Sequence, residues 1–377
     1  MNADVMKWLR FLFLLAAIAC GTARAGEAAA AQPGEAAASA APVRAAPTRP
    51  AHVWKFIRLG EVDYVSVADI AARYRLKADW TRPGLERTLS DARGVRLKFE
   101  ASQRDAHLDG VRIFFGAPVL PHKKELWVSK LDVIKTLSPL LGPEDLVAHL
   151  PAPPRLIVID PGHGGTDPGM QNAKLKLNEK DMTLDVAWRL RKILELRGYR
   201  VLMTREKDTR FSNSPVIDLP LRADFANKAG ADLFLSIHFN AVDPANAQRV
   251  TGSETYVLTP QYMTSTQPES NKAMRAEQNP GNRHDAANAL LGYQLHRRVV
   301  TELKTSDRGY KRYRYAVLRT LNCPGALIEA AYLSHDTEAA RVGAPAFRQE
   351  IAEAIAHGVQ DYASALAALR PASASDK

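Results

Sequence analysis

Residues 156–169 read "LIVIDPGHGGTDPG". Leu156 to Ile159 is an unbroken apolar run, as a parallel strand buried on both faces requires. Asp160 to Gly169 then turns on glycine and proline, with His163 at its centre. Downstream, 178–197 has the helical repeat, with Leu184, Ala187, Leu190 and Leu194 as its apolar stripe. Asn178 is placed to cap it, Asp181 stands at the capping-box third position and Gly198 closes it. A strand over 199–204, a helix over 218–229 closed by Gly230, and a strand over 233–237 follow. Strand, helix, strand, helix, strand implies a right-handed, largely parallel α/β sheet. Further strands are expected at 254–258, 316–318 and 326–328, and further helices at 287–303 and 346–362. The fold class of 155–364 is therefore α/β, a mostly parallel or mixed sheet flanked by helices.

The chain has 377 residues and a formal charge of +10, which suits an anionic partner. No dense Lys/Arg block is interleaved with aromatics, so nucleic acid is not expected. Residues 1–25 read as a secretory signal: Lys7 and Arg10, the apolar run Phe11 to Ala19, then Ala23-Arg24-Ala25. Lipidation at Cys20 is the rival processing, although Ala17-Ile18-Ala19 lacks the usual leucine. Export to the periplasm or cell envelope follows from either, and no later segment looks transmembrane. Residues 26–52 are an Ala/Pro-rich tether, 53–147 a small α+β module, and 365–377 a flexible tail. Pro151, Pro153 and Pro154 mark the boundary before the α/β part. Cys323, the second of two cysteines, reads as a buried small hydrophobe.

In open α/β sheets, ligands bind at the carboxyl ends of the strands. His163 follows the first strand, His238 ends the third in "LFLSIHFNA", and Glu179 opens the first helix. Two imidazoles and one carboxylate make a catalytic zinc set with the fourth position open to water. Zinc lowers that water's pKa toward ~7. Asp160 and Asn240 stand where they can hold the imidazoles in one tautomer. The bland readings are a structural histidine after a buried strand, and a first-turn Glu favoured by the helix dipole. "PGHGGTDPG" lacks the Lys-Ser/Thr ending of a phosphate loop. Glu329, in "GALIEAAYLSH", reaches the same edge. A buried carboxylate there is costly unless used or paired. It is either the proton shuttle or the ion-pair partner of Arg308 or Arg319.

Two resemblances add to this. The stretches "VDYVSVADIAARY", "HLDGVRIFF" and "ELWVSKLDVIKTL" make 53–147 similar to the small domains, like the N-terminal domain of copper amine oxidases, found beside bacterial wall enzymes. That implies a binding or spacer role. Residues 155 to about 363 resemble the zinc-dependent N-acetylmuramoyl-L-alanine amidases. The stretches that carry this are "IVIDPGHGGTDPG", "NEKDMTLDVAWRLRKILELRGYRVLMTRE", "LPLRADFANKAGADLFLSIHFNA", "GSETYVL", "DRGYKRYRYAVLR" and "PGALIEAAYLSHDTEA", in the family's order. The resemblance implies His163, Glu179 and His238 as zinc ligands and Glu329 as catalytic carboxylate. It implies peptidoglycan as substrate, cut between N-acetylmuramic acid and L-alanine, in cell-wall turnover or cell separation.

The chain departs from the family where Glu329-Ala330-Ala331-Tyr332 replaces Glu-x-Gly-Phe, and where His335 follows Ser334. His335 either lines the pocket or caps the next helix. Thr259 to Asp285 is long and polar, and some relatives carry a regulatory helix there. It is expected to be a lid or the docking loop of a protein activator. Arg319 is placed to meet an acidic group of the stem peptide or to form a salt bridge. A carboxypeptidase on the same sheet, with an arginine clamp, and a non-catalytic envelope-binding protein are the competing readings.

Overall fold

The computed structural model describes residues 52–268 and 272–370. The signal 1–25, the tether up to residue 51 and residues 371–377 lie outside the described residues. The N-terminal half holds β1 (Ile57–Leu59), β2 (Val62–Ser66), α1 (Val67–Tyr74), β3 (Lys77–Arg82), β4 (Glu86–Asp91), β5 (Gly94–Glu100), β6 (Asp105–Leu108), β7 (Val111–Phe114), β8 (Leu120–His122) and β9 (Glu125–Ser129). After the proline segment come β10 (Leu156–Pro161), the short pair β11 (Gln171–Asn172) and β12 (Leu177–Asn178), α2 (Glu179–Leu196), β13 (Arg200–Met203), α3 (Pro215–Ala229), β14 (Leu233–Asn240) and β15 (Ser253–Val257). The chain ends with α4 (Asp285–Leu303), β16 (Asp307–Arg312), α5 (Ala316–Arg319), β17 (Gly325–Tyr332), α6 (Asp336–Gly343) and α7 (Pro345–Ala368).

One eleven-stranded sheet runs β13-β10-β14-β17-β15-β16-β7-β6-β5-β4-β3. Strands β13, β10, β14 and β17 are mutually parallel, and β15 is antiparallel to β17. The expected α/β class is what the chain adopts. Alternate residues of β10 serve two cores, which is why the run carries no polar face. Ile157 and Ile159 belong to one core with Val186 and Leu190 of α2 and Ile351 and Ile355 of α7. Val158 packs with Ala223 and Ala226 of α3. Each such fully buried aliphatic side chain is worth about 1.5–3 kcal/mol.

The two halves share this sheet. Tyr310 of β16 registers with Ile113 of β7. The Arg112 amide donates to Asp307 Oδ2 at 2.8 Å, and Lys135 Nζ pairs with Asp285 at 2.9 Å. A second sheet, β1-β2-β9-β8, completes the N-terminal half. No helix among the described residues is long and apolar enough to cross a membrane.

Local features differ from the expectations for physical reasons. Residues 316–319 form helix α5, with the Leu318 amide bonded to the Tyr315 carbonyl. A three-residue apolar run has too little periodicity to separate strand from helix. Strand β16 lies outside the expected strands; the charges of Arg308 and Lys311 in "DRGYKR" are matched by Glu254 of the neighbouring β15. Asn178 precedes α2 but makes no side-chain cap; its oxygen accepts from Gln171 and its amide donates to Asp181. The last helix also runs to Ala368, into the segment expected to be tail.

Candidate active site

β10 and β14 pair in parallel, which places the loop after Pro161 beside His238. Thr183 Oγ1 in α2 donates to the Gly162 carbonyl at 2.9 Å and fixes that helix start against the loop. The result brings His163, Glu179 and His238 together. One ligand atom from each lies within 4.8 Å of the others. His163 Nε2 and His238 Nδ1 are each 3.0 Å from Glu179 Oε1. The two rings are 4.9 Å apart at 75°. Glu179 Oε2 accepts from the Met170 amide at 2.8 Å, and Oε1, which faces the rings, accepts from the Phe239 amide at 3.0 Å.

The loop can make this approach only with glycine at two positions. A Cβ on Gly162 would lie 2.3 Å from the His238 ring. Gly169 has φ +65, and a Cβ there would lie 2.7 Å from both Glu179 and His163. His163 itself has φ +63, which costs a non-glycine residue of order 1–3 kcal/mol. Two buried arginines hold it. Arg222 donates to the Pro161 and His163 carbonyls at 3.0 and 2.8 Å. Arg205 donates to Pro161 and Gly162 at 3.0 and 2.8 Å.

Charge at the site follows from these contacts. Burial disfavours a protonated His163, but the Glu179 and Asp167 carboxylates outweigh it and push the imidazole up to about 10. Burial opposes ionisation of Glu179, and the two histidines reverse that and hold it well below the usual range. Two imidazole nitrogens and one ionised oxygen converge on one point. That donor chemistry fits a zinc-type cation.

Glu329 lies on β17 directly opposite His238 of β14, and Glu254 of β15 lies directly opposite Glu329. Cross-strand partners share a face, so His238, Glu329 and Glu254 form one row. Glu329 Oε2 is buried with no hydrogen-bond partner among the described residues. Burial first, then the Glu179 and Glu254 charges, holds its carboxyl well above the usual carboxylate range. No ion pair with Arg308 or Arg319 forms among the described residues; Arg308 pairs with Glu254.

Other expected residues go elsewhere. Asp160 does not hold an imidazole. Its oxygens are taken by Thr204 at 2.6 Å, Ser236 at 2.8 Å and Arg222 at 2.9 Å. The orienting carboxylate is Asp167, whose Oδ2 is 3.0 Å from His163 Nδ1. Asn240 also misses the rings and donates to Glu254 Oε2 at 3.0 Å. Arg319 pairs with none of the row's carboxylates among the described residues. Its neighbour Thr320 is bound by Asn227 near the end of α3, and Leu318 packs on Gly325, where β17 begins. Glu329 is four residues further on, roughly 13 Å along a strand. His335 precedes α6 as its cap, with Nδ1 accepting from the Glu338 amide at 3.4 Å.

The lid expectation meets the same topology. β15 is antiparallel to β17, so Val257 ends beside Ala326, at the starting edge of β17. The 259–285 segment therefore leaves from the edge opposite the imidazoles. Arg314 binds its Pro260 and Met263 carbonyls at 3.0 Å, and Arg104 binds Ser265 at 3.1 Å. Residues 260–265 are thus pinned as a strap at that edge.

Sequence reasoning missed the cluster around Glu254. Glu254 Oε1 accepts from Lys311 at 2.7 Å, Arg308 at 2.9 Å and the Tyr332 hydroxyl at 2.7 Å. Oε2 accepts from the Tyr256 hydroxyl at 2.6 Å and from Asn240. Burial opposes its charge, but Lys311 and the two hydroxyls bring it down to about 2. Its only signal in sequence was a Glu inside a strand, in "GSETYVL".

The profile of the family described as N-acetylmuramoyl-L-alanine amidase matches residues 157–361. The germination-specific N-acetylmuramoyl-L-alanine amidase of Bacillus subtilis is 31% identical over 221 residues, covering 56% of this chain and 81% of that protein. The amidase AmiC of Escherichia coli O6:H1 is 31% identical over 233 residues, 55% of this chain and 53% of that protein. This chain thus spans about half the length of that relative. A solved N-acetylmuramoyl-L-alanine amidase from Clostridium difficile 630 aligns with 28% identity and a TM-score of 0.45, over 56% of this chain and 98% of that one.

Proposed function

The chain belongs to the N-acetylmuramoyl-L-alanine amidase family, and from that premise we propose that it hydrolyses the amide bond between N-acetylmuramic acid and L-alanine in peptidoglycan. One observation carries the reading: a convergent His163, Glu179, His238 donor set beside a buried, unpartnered Glu329 oxygen.

His163, Glu179 and His238 would hold zinc. When bound, zinc polarises the scissile carbonyl and makes water acidic enough to attack near neutral pH. Asp167 keeps His163 in the tautomer that leaves Nε2 free to ligate. Glu329 is the proton carrier. As base it takes a proton from the attacking water; as acid it gives that proton to the departing alanine nitrogen. Its raised pKa suits the second task, because a carboxyl that stays protonated can donate. The row geometry places it on the same face as His238.

The setting we propose is the periplasm or cell envelope after export, with a role in wall turnover or cell separation. The 53–147 half acts as a support, because it continues the catalytic sheet and its Arg104 helps pin the 259–285 strap. That strap is where a protein activator would dock. Tyr262 is exposed on it, and Gln267 donates to the Tyr256 hydroxyl that itself donates to Glu254.

The test is digestion of isolated peptidoglycan by the purified protein, with and without a chelator, and mass spectrometry of the products. Peptides with a new N-terminal L-alanine, lost on chelation and restored by zinc, are the expected result. Loss of a C-terminal residue instead would make the protein a carboxypeptidase. Sedimentation on the wall with no release would make it a binder.

A further inference from the structure

The cluster beside the site holds one more cation than it has anions. Lys311 Nζ lies 2.7 Å from Glu254 Oε1 with both side chains nearly buried, so this pair neutralises itself. Arg308 is the surplus. Its Nε donates to Glu254 Oε1 at 2.9 Å and to the Tyr332 hydroxyl at 3.0 Å. Its guanidinium also lies 5.2 Å from the centre of the Tyr332 ring. These contacts fix the plane of the guanidinium through Nε alone. Nη1 and Nη2 make no hydrogen bond to any described residue, and the side chain is 35% exposed. A guanidinium held from behind, with its outer fork open, matches a carboxylate in the two-bond geometry that arginine favours.

Its place in the row says where that carboxylate would be. His238, Glu329 and Glu254 face one another across β14, β17 and β15, and Arg308 stands next to Glu254 on β16. Tyr332 joins the same face because the register shifts there, His238 facing Glu329 while Asn240 faces Tyr332. At ~4.8 Å between strands, the Arg308 backbone is about 10 Å from that of Glu329. An extended residue covers roughly 3.5 Å. A group one residue beyond the cleaved alanine is therefore within reach of an arginine side chain on that strand.

We propose that Arg308 binds a carboxylate on the peptide side of the substrate, carried by the residue that follows the alanine. Arg308 is then a specificity residue, and the role once expected of Arg319 belongs here. The proposal rests on the amidase reading and deepens it.

The test uses a muramoyl peptide whose second residue keeps its α-carboxylate, and the same compound with a carboxamide there. Wild-type enzyme is expected to favour the carboxylate by roughly tenfold to a hundredfold in kcat/KM, the range for a hydrogen bond to a charged group. Arg308→Ala should bring that ratio to about one. Arg308→Lys, which keeps charge but loses the fork, should fall between. A wild-type ratio near one overturns the proposal, and so does an Arg308→Ala enzyme that keeps the preference. Circular dichroism checks folding; if the alanine variant does not fold, wild type and Arg308→Lys still decide. Mass spectrometry of the products tests the amidase reading separately. If no L-alanine N-terminus appears, calorimetric binding of the free peptide and its carboxamide to wild type and Arg308→Lys still shows whether Arg308 reads the carboxylate.

Discussion

Glu329 has two flanks, and they are built in opposite ways. On one side, His163, Glu179 and His238 crowd acceptors around one point, with the two imidazole nitrogens 3.0 Å from one carboxylate oxygen. On the other, Glu254 takes five donors from Arg308, Lys311, Tyr332, Tyr256 and Asn240, so its charge is matched inside the protein. The first flank calls for a cation from outside. The second is closed, apart from the outer fork of Arg308. Among the described residues, Glu329 between them has a buried oxygen with no hydrogen-bond partner, although Glu254 directly across the strand has none such. Two neighbouring carboxylates with ionisation pushed in opposite directions mark a division of labour. In the proposed reaction Glu254 holds structure and Glu329 moves protons.

Glu329→Ala tests that division hardest. Turnover should fall by roughly 10²–10⁴-fold, the usual worth of a positioned acid–base group. Zinc content should stay near one per chain by atomic absorption, because Glu329 is outside the His163, Glu179, His238 set. Zinc lost along with activity would move Glu329 to the ligand flank and collapse the comparison.

Glu254→Ala should act on stability. It strands Lys311, whose side chain is only 10% exposed, without its anion. Breaking a buried pair from one side costs about 3–5 kcal/mol, readable as a shift of the urea midpoint. Adding Lys311→Met should recover part of the loss. A double variant no better than the single would mean the pair is not closed as described.

Acid should unpick the same flank. The Glu254 carboxyl is held at about 2 against an ordinary 4.5, with burial opposed by Lys311, Arg308 and the Tyr256 and Tyr332 hydroxyls. The stability this adds is present above about pH 4.5 and is lost as pH falls through 2. The shift corresponds to about 3 kcal/mol. Thermal melts from pH 5 to pH 2 should lose that amount in wild type. In a Glu254→Gln variant the loss should be smaller; an equal loss would place the acid sensitivity elsewhere.

What the sequence disclosed follows the same contrast. The ligand flank was legible because each residue is locally marked. A buried strand runs into glycines, a helix opens on Glu, and a second buried strand ends on His. Glu329 was legible as a carboxylate on an apolar strand. The closed flank was not, because its members come from β14, β15, β16 and β17 and meet only through sheet order, which no local pattern encodes. "DRGYKR" was not marked as a strand because its charges have no visible partner until Glu254 is opposite. Asp160 drew the orienting role because it is nearer the strand. Its acceptors are spent on Thr204, Ser236 and Arg222, and Asp167, four residues after His163, takes its place.

That exchange gives the smallest prediction. Asp167→Asn keeps an acceptor near His163 Nδ1 but removes the charge. Partners that orient a ligating histidine are typically worth 10–100-fold in metal affinity. Since an amide oxygen can still accept the bond, the loss should fall near the lower end, about tenfold, measured by competition with a zinc chelator. Asp167→Ala removes the acceptor as well and should fall near the upper end. If both variants bind zinc as wild type does, the strained backbone at His163, held by Arg205 and Arg222, orients the ring without help. The ligand flank would then be organised by its loop carbonyls, much as the closed flank is organised by its carboxylate.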